Sequence, residues 1–253
     1  MKFIERSYPE SRFGGFTNVD GTIAFYSRIN ALLEPSSIVV DVGCGRGAYA
    51  EDKVAWRRNL RVLKGKCATV IGIDVDPAAS NNPFLDEFRM LDGERWPIDD
   101  ASVDLCVSDS VLEHVAEPEK FFAECRRVLK PGGYLCLRTP NVLSYFGLVS
   151  RLVPNRFHAR TVAKAQTDPD KPLSRHDEDV FPTLYRCNTR GRLRRALARH
   201  DFDSCVLGHE AEPSYFSFSR LLYCLGVAHQ RLSPNLFKVV LFAFARKPEQ
   251  PPG

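Results

Sequence analysis

Short apolar runs, each ending near an acidic or small polar residue, alternate with amphipathic stretches through the first half of the chain. The runs lie at residues 38–42, 68–74, 88–91, 103–108 and 133–139. Their length and β-branched content are typical of strands buried on both faces of a parallel sheet. The intervening stretches at 48–63 and 118–129 are compatible with helices. This alternation predicts an α/β fold with a doubly wound, mainly parallel sheet.

The alternating segment, residues 36–141, forms a core, and the sequence before and after it does not follow the same alternation. Residues 20–33 place apolar side chains near helical spacing, which predicts a helix laid over the core. Thr189 is positioned to cap a second helix, rich in arginine. We therefore expect an N-terminal helical lid at 1–35 and, after the core, an acceptor cap or insertion with the basic helix at 142–200. Residues 201–246 are expected to add strands near 203–208 and 236–245. The Pro-rich tail at 247–253 is expected to be disordered.

Composition narrows the class of protein. No apolar run approaches the roughly 18 residues that cross a bilayer, and the first six residues contain charges that do not fit a signal peptide. We therefore expect a cytoplasmic protein. The net charge of +4 is too small to indicate nucleic-acid binding by itself. The eight cysteines show no C-x-x-C pair, which predicts reduced thiols and no metal site.

The most informative segment joins the first strand to a glycine loop, in which Asp41 precedes Gly43, Gly45 and Gly47. Glycines let a backbone turn sharply and approach a ligand closely. The G-x-G-x-G spacing differs from the dinucleotide pattern, and the next strand-end acid, Asp74, lies 31 residues after Gly43. A Walker loop is also absent. Acids at successive strand ends suit a ligand with a ribose diol and an exocyclic amine.

The segments VVDVGCGRG, VIGIDVDP, LDGERWPIDDASVDLCVSDSVLEHV and FFAECRRVLKPGGYLCLRTPN resemble the successive motifs of class I S-adenosylmethionine-dependent methyltransferases. The resemblance covers about residues 36–141. The E-H-V and L-K-P-G-G segments resemble the branch that acts mostly on small molecules, lipids, quinones and sugars. The resemblance implies S-adenosylmethionine as cofactor and a seven-stranded sheet whose last strand is antiparallel, with an acceptor cap after the fifth strand.

The same resemblance implies roles for individual residues at the methionine end of the cofactor. Gly43, Gly45 and Gly47 would pass under the methionine moiety, with Asp41 near its amino group. Ser108 and the two residues after it, to Ser110, would line the floor near the sulfonium. Each acid taken alone is more typical of a helix cap or a solvated loop, and only the ordered set favours the cofactor role.

At the adenosine end, the resemblance implies that Asp74 holds the ribose hydroxyls, with Val75 in the same site. Asp92 and the Gly93 amide would meet the adenine edge. Two departures from the family pattern stand out: the long spacing before Asp74, and the Asn-Asn-Pro run at residues 81–83, which we expect to alter the wall of the adenine pocket.

A hydroxyl acceptor needs a base to remove its proton, and His114, just past the fourth strand, is our candidate. The competing interpretation makes His114 a structural residue hydrogen-bonded to backbone. His158 and the run at 176–179 are rival candidates in the insertion, where imidazole and carboxylates are able to bind a metal, although a solvated loop is the favoured interpretation. The segment at 139–181 lies where the family usually builds its acceptor cap, so we expect it to select the substrate.

Six arginines and no acid lie between residues 186 and 200, and residues 215–223 are rich in aromatics. The basic helix is interpreted either as a site for an anionic acceptor or as a solvated face packed through Leu193, Ala196 and Leu197. Together with the apolar segments at 142–153 and 216–225, it raises the hypothesis of peripheral contact with anionic lipid.

The sequence thus predicts a methyltransferase that modifies an oxygen of a small-molecule, glycan or lipid-linked acceptor. The alternatives are N- or C-methylation of a small metabolite or quinone-like acceptor, and a cofactor-binding subunit without catalysis. Nucleic-acid methylation is disfavoured, because the run at 108–111 is Ser-Asp-Ser-Val where such enzymes carry Asn/Asp-Pro-Pro-aromatic.

Overall fold

The computed structural model describes residues 3–145, 181–213, 216 and 219–249. Seven strands form one sheet in the order β3-β2-β1-β4-β5-β7-β6. They are β1 (Ile38–Val42), β2 (Thr69–Asp74), β3 (Glu87–Met90), β4 (Val103–Asp109), β5 (Leu129–Pro140), β6 (Asp203–His209) and β7 (Val240–Arg246). Strand β7 runs antiparallel to both of its neighbours, β5 and β6, and the pairs among β1 to β5 are all parallel. The predicted seven-stranded, doubly wound sheet with an antiparallel last strand is confirmed.

Six α-helices lie in the described ranges: α1 (Phe3–Ser7), α2 (Gly21–Leu32), α3 (Ala55–Arg61), α4 (Pro118–Val128), α5 (Arg190–Arg199) and α6 (Arg220–Leu232). Asp20 caps α2 by accepting from the Thr22 and Ile23 amides, each at 3.0 Å, and Thr189 caps α5 as predicted. The stretch at 48–63 splits into a 3₁₀ turn (Ala48–Glu51) and α3. Sequence reasoning did not predict α6.

The two faces of the sheet bury different helices, because side chains alternate along each strand. On one face, Val40 and Val42 of β1 join a cluster with α4 and α5. On the other, Val39 joins a cluster with α2 and α3. Both faces are therefore covered, as the near-continuous apolar strands require.

The strand order reverses between β1 and β4, which makes their carboxyl ends the expected place for a ligand. Val42 of β1 is level with Ile73 of β2 and with Ser108 of β4. Asp74 and Asp109 end their strands one residue further on. The register thus gathers the strand-end polar residues at one edge.

Several expectations need comment. Lys247, assigned to the disordered tail, instead pairs through its backbone with Gly132 and Gly133, and its ammonium donates to two carbonyls at the end of α4 and start of β5. The disorder prediction is wrong for this residue, and residues 250–253 lie outside the described part. The eight cysteines are free thiols. Within the described residues, no helix has the length and apolar character needed to cross a bilayer.

Candidate cofactor and acceptor site

The loop after β1 depends on glycine for two different reasons. Gly43, Gly45 and Gly47 all have positive φ, at 68°, 54° and 74°. A Cβ on Gly43 would lie 2.4 Å from Val111, and one on Gly47 would lie 2.6 Å from the Asn82 amide oxygen. A Cβ on Gly45 would meet nothing within 4 Å. The first and third glycines permit close packing, whereas the second exposes backbone beside open space, where a ligand is able to approach it.

The segment after β2 holds this loop in place. The Gly45 amide donates to Asp74 Oδ2 at 2.8 Å, and Arg46 pairs with Asp76 at 2.9 Å. The buried Asn82 side chain donates to the Cys44 and Gly45 carbonyls, each at 3.1 Å. The Asn-Asn-Pro run that departs from the family pattern therefore contains a residue that braces the glycine loop.

The adenosine side of the candidate site lies at the ends of β2 and β3. Asp74 is buried, and its second oxygen accepts from the Asp76 amide at 2.9 Å. Val75, which follows it, is 50% exposed, an unusual exposure for valine that leaves an apolar surface open to a ligand. Asp92 and Gly93 follow β3 and are exposed. All four predicted residues thus lie at the same sheet edge.

The methionine side lies at the switch point, where carboxylates crowd together. Burial raises the pKa of Asp41 to about 7, with a further increase from the negative charges of Asp109 and Asp74 and an opposing effect of Arg61. Asp109 faces Arg138, its register partner on β5, in a bidentate pair with both distances at 2.6 Å. Burial would raise the pKa of Asp109, but this guanidinium holds it below the usual value. Asp41 is therefore easier to protonate than Asp109.

Two polar atoms at this edge have no hydrogen-bond partner among the described residues: the Ser108 hydroxyl and Nε of Arg61. The Arg61 guanidinium lies 4.4 Å from the centre of the Tyr49 ring and 3.8 Å from Asp109. Buried polar groups are almost always hydrogen-bonded, so these two mark positions where a ligand would supply a partner. The residues present therefore fit a ligand with carboxylate and amino groups.

Helix α2 is fastened over the same edge. Tyr26 donates to Asp109 at 3.1 Å, and Arg138 donates to the Thr22 hydroxyl at 2.7 Å. The Arg138 guanidinium also lies 5.6 Å from the centre of the Phe25 ring. The N-terminal helix, predicted to lie over the core, therefore contributes side chains to the switch point itself.

The candidate base lies in the loop after β4. His114 Nδ1 lies 3.0 Å from the Pro182 carbonyl oxygen, and the Phe181 ring packs edge-on at 6.1 Å. A carbonyl oxygen only accepts, so Nδ1 carries the proton and Nε2 is left as the accepting nitrogen. The imidazole is therefore bound to backbone, as the structural interpretation requires, and still has a nitrogen available for a proton.

The basic helix α5 packs through Leu193, Ala196 and Leu197, all nearly fully buried, which matches the interpretation of a solvated helix with one apolar face. It lies on the α4 face of the sheet, whereas the exposed leucines of α6 belong to a helix that packs on α1. The basic helix and the segment at 216–225, which the membrane hypothesis combined with residues 142–153, therefore lie in different clusters. His158, the run at 176–179, and most of the apolar and aromatic segments at 142–153 and 215–218 lie outside the described residues.

Sequence reasoning noted Asn82 only as part of a departure from the family pattern, and it missed Arg61 and the Asp109–Arg138 pair. A signal for the last was present, because Arg138 interrupts an apolar strand and a charge in such a place requires a partner. Arg61 carried no such signal. Within the described part of the chain, no group of three or more His, Cys, Asp or Glu side chains has an arrangement that would hold a metal ion.

Residues 40–137 match a family model described as a methyltransferase domain. Together with the seven-stranded sheet and the glycine loop at its switch point, this match makes the core similar to a class I methyltransferase domain.

Curated relatives agree with this class. A probable S-adenosylmethionine-dependent methyltransferase of Mycolicibacterium smegmatis is 34% identical over 134 residues, which are 51% of this chain and 47% of the relative. An uncharacterized methyltransferase of Mycolicibacterium vanbaalenii is 30% identical over 154 residues, 57% of this chain and 56% of the relative. The chain thus spans about half the length of these relatives.

Solved structures share the fold over more of the chain. A chain in the complex between the Haloferax volcanii Trm112 methyltransferase activator and a putative methyltransferase aligns with a TM-score of 0.56 and 18% identity, covering 92% of both chains. Geranyl diphosphate C-methyltransferase from Streptomyces coelicolor, solved with Mg²⁺, geranyl diphosphate and S-adenosyl-L-homocysteine, aligns with a TM-score of 0.53 and 17% identity, covering 88% of this chain and 77% of that one. At these identities the likeness concerns the fold.

Proposed function

We propose that this protein transfers a methyl group from S-adenosylmethionine to an oxygen of a small-molecule, glycan or lipid-linked acceptor. The cofactor supplies a methyl group already activated on a sulfonium, so the protein has to bind, orient and deprotonate the acceptor and exclude water. The choice of oxygen as the acceptor atom rests on His114. Its Nδ1 is held by the Pro182 carbonyl, so its Nε2 is left to take a proton from a hydroxyl group.

The cofactor would be held by the residues of the switch point. The Gly45 backbone lies beside open space, and the buried Asp74 has one accepting position left on each oxygen for the two ribose hydroxyls. The exposed Val75 offers an apolar surface to the adenine, with Asp92 and Gly93 at the same edge. Ser108 would complete the floor beneath the methionine moiety.

Arg61 is proposed to bind the carboxylate of that methionine moiety, because its buried Nε has no partner among the described side chains and a guanidinium matches a carboxylate geometrically. We expect Arg61→Met to weaken binding of S-adenosylhomocysteine by about tenfold or more, the usual effect of losing one charged hydrogen bond. Decarboxylated S-adenosylmethionine should bind the wild type and the variant equally. Isothermal titration calorimetry with both ligands measures this difference.

Arg58→Met provides a matched control in the same helix, since Arg58 donates to the Asp52 carbonyl and is not part of the switch point. It should leave both affinities unchanged. An equal loss for both ligands in Arg61→Met would instead show that Arg61 only supports the packing of Tyr26 and Tyr49, whose rings it contacts.

Asp41 is proposed to face the cofactor's ammonium group, which favours the charged carboxylate. Its pKa of about 7 means that lowering the pH protonates it and removes this charge. We therefore expect S-adenosylhomocysteine to bind about tenfold more weakly at about pH 6 than at about pH 8. Asp41→Asn should bind weakly at both pH values. A wild type and variant with the same pH dependence would exclude Asp41 as its source.

The proposed reaction is tested by transfer of an isotopically labelled methyl group from S-adenosylmethionine into a cell extract, followed by partition between organic and aqueous phases. Label in the organic phase indicates a lipid or lipid-linked acceptor, and label in small aqueous species indicates a free sugar or metabolite. The chemical shift of the labelled methyl group separates O-methylation from N- or C-methylation. Cofactor binding without any transfer would favour the subunit without catalysis.

A further inference from the structure

Three buried polar side chains form a hydrogen-bonded series that ends at Glu113, the residue before His114. The Asn188 amide donates to the Thr139 hydroxyl at 2.6 Å, and that hydroxyl donates to the Glu113 carboxylate at 3.0 Å. Asn188 and Thr139 are fully buried and Glu113 is 5% exposed. Burial raises the pKa of the Glu113 carboxyl. Burying such groups is costly unless they are hydrogen-bonded. These hydrogen bonds therefore hold three parts of the sequence that are far apart in a fixed relative position.

The backbone around Glu113 makes the same connection. Its carbonyl accepts from the Leu184 and Tyr185 amides, at 2.7 and 3.1 Å. Tyr185 has a positive φ of 50°, so the segment at 181–188 turns sharply where it meets Glu113. That segment presents the Pro182 carbonyl to His114. The loop after β4 and the segment at 181–188 are thus joined through side chains and backbone together.

The start of the insertion is fastened to the same place. The Val142 amide donates to the Asn188 carbonyl at 2.9 Å. Thr139 is the last residue but one of β5, and Val142 lies two residues after the strand ends. Residues leaving β5 and residues entering α5 are therefore held side by side over Glu113. In the proposed function, the segment between them selects the acceptor.

We propose that Asn188, Thr139 and Glu113 are positioning residues, which hold the segment at 181–188 against the loop after β4 so that Pro182 fixes the proton of His114 on Nδ1. The imidazole then presents Nε2 to the acceptor in a single orientation. The inference rests on the proposed function for its consequence in catalysis, but the state of the imidazole is a property of the chain alone.

The test is nitrogen-15 NMR of the full chain at a pH where His114 is neutral, which reports whether the proton is on Nδ1 or Nε2. We expect the Nδ1 form in the wild type. Thr139→Val removes the hydroxyl at nearly constant volume, and we expect it to mix the two forms and to lower kcat about tenfold or more with little change in KM. Thr139→Ser, which keeps the hydroxyl, should retain the wild-type spectrum and kcat.

Binding of S-adenosylhomocysteine should remain within about twofold in both variants, because the Thr139 hydroxyl is bonded to Glu113 and Asn188 and not to the glycine loop. A wild-type His114 with its proton on Nε2 would overturn the inference without any variant. A folded Thr139→Val with an unchanged His114 spectrum would also overturn it, and Asn188→Ala replaces that variant if it does not fold. Failure of the proposed function is distinguishable from these outcomes, because the wild type would then not bind S-adenosylhomocysteine.

Discussion

Asp74→Ala is expected to weaken S-adenosylhomocysteine binding by about 100-fold or more. The carboxylate would contribute two charged hydrogen bonds to the ribose hydroxyls, each worth about 1.5–3 kcal/mol. The substitution also removes the acceptor of the Gly45 and Asp76 amides, which are held at 2.8 and 2.9 Å. Because Gly45 belongs to the glycine loop, the loss of this bond loosens a second part of the same site.

Calorimetry or equilibrium dialysis with S-adenosylhomocysteine measures this effect. Asp86→Ala is a matched control, because Asp86 likewise accepts from a backbone amide, that of Val70 at 2.9 Å, but lies at the opposite end of β2. The control should lose some stability and keep its affinity. Comparable affinity losses in both variants would contradict the placement of the ribose at Asp74.

His114→Gln is expected to lower kcat by about 100-fold to 10,000-fold, the usual contribution of a general base. Glutamine is polar and of similar size but has no nitrogen that accepts a proton. The affinity for S-adenosylhomocysteine should stay near that of the wild type, because His114 is assigned to the acceptor side. Single-turnover rates, with the acceptor identified by label transfer, separate this chemical step from product release.

His200→Gln tests whether any histidine substitution has this effect, since His200 pairs with Glu119 at 3.0 Å at the end of α5, away from the sheet edge. It should turn over at the wild-type rate. Near-normal turnover of His114→Gln across the whole pH range would remove His114 as the base and leave its bond to Pro182 as a purely structural contact. An acceptor that does not need deprotonation would then be favoured.

The strands were predictable because each is short, apolar and ends at a polar residue, as at Asp74. The bounds of β1, β2 and β4 agree with the prediction to within a residue or so. Helix α6 was missed, because its aromatic and apolar residues fit a core segment, an interface or a helix equally well from composition alone. Lys247 was misjudged for a related reason: a Pro-rich tail looks disordered until the backbone of Gly132 and Gly133 is available to pair with it.

Some residues of the candidate site were indicated by the sequence, and others became apparent only in the structure. Asp41, the glycine loop and Asp74 were found from local pattern, since each stands at a strand end and parallel strands bring such ends to one edge. Arg61 was not, because neither its spacing nor its residue type distinguishes it from a surface residue. Asn82 was noted in the Asn-Asn-Pro run, but its bonds to the glycine loop were not predictable from local pattern. These two residues contact partners 35 to 38 positions away in the chain: Tyr26 for Arg61, and Cys44 and Gly45 for Asn82.

The sequence by itself determined the sheet and the position of the glycine loop, because periodicity and strand-end residues are local consequences of burial. The cofactor was implied by the resemblance of the motifs to a known family. Only the tertiary structure decided which charges meet. The Asp109–Arg138 pair, the raised pKa of Asp41, and the chain from Asn188 to Glu113 each require neighbours that the register of the strands brings together. Burial gives these contacts their strength, since the same groups in water would interact weakly.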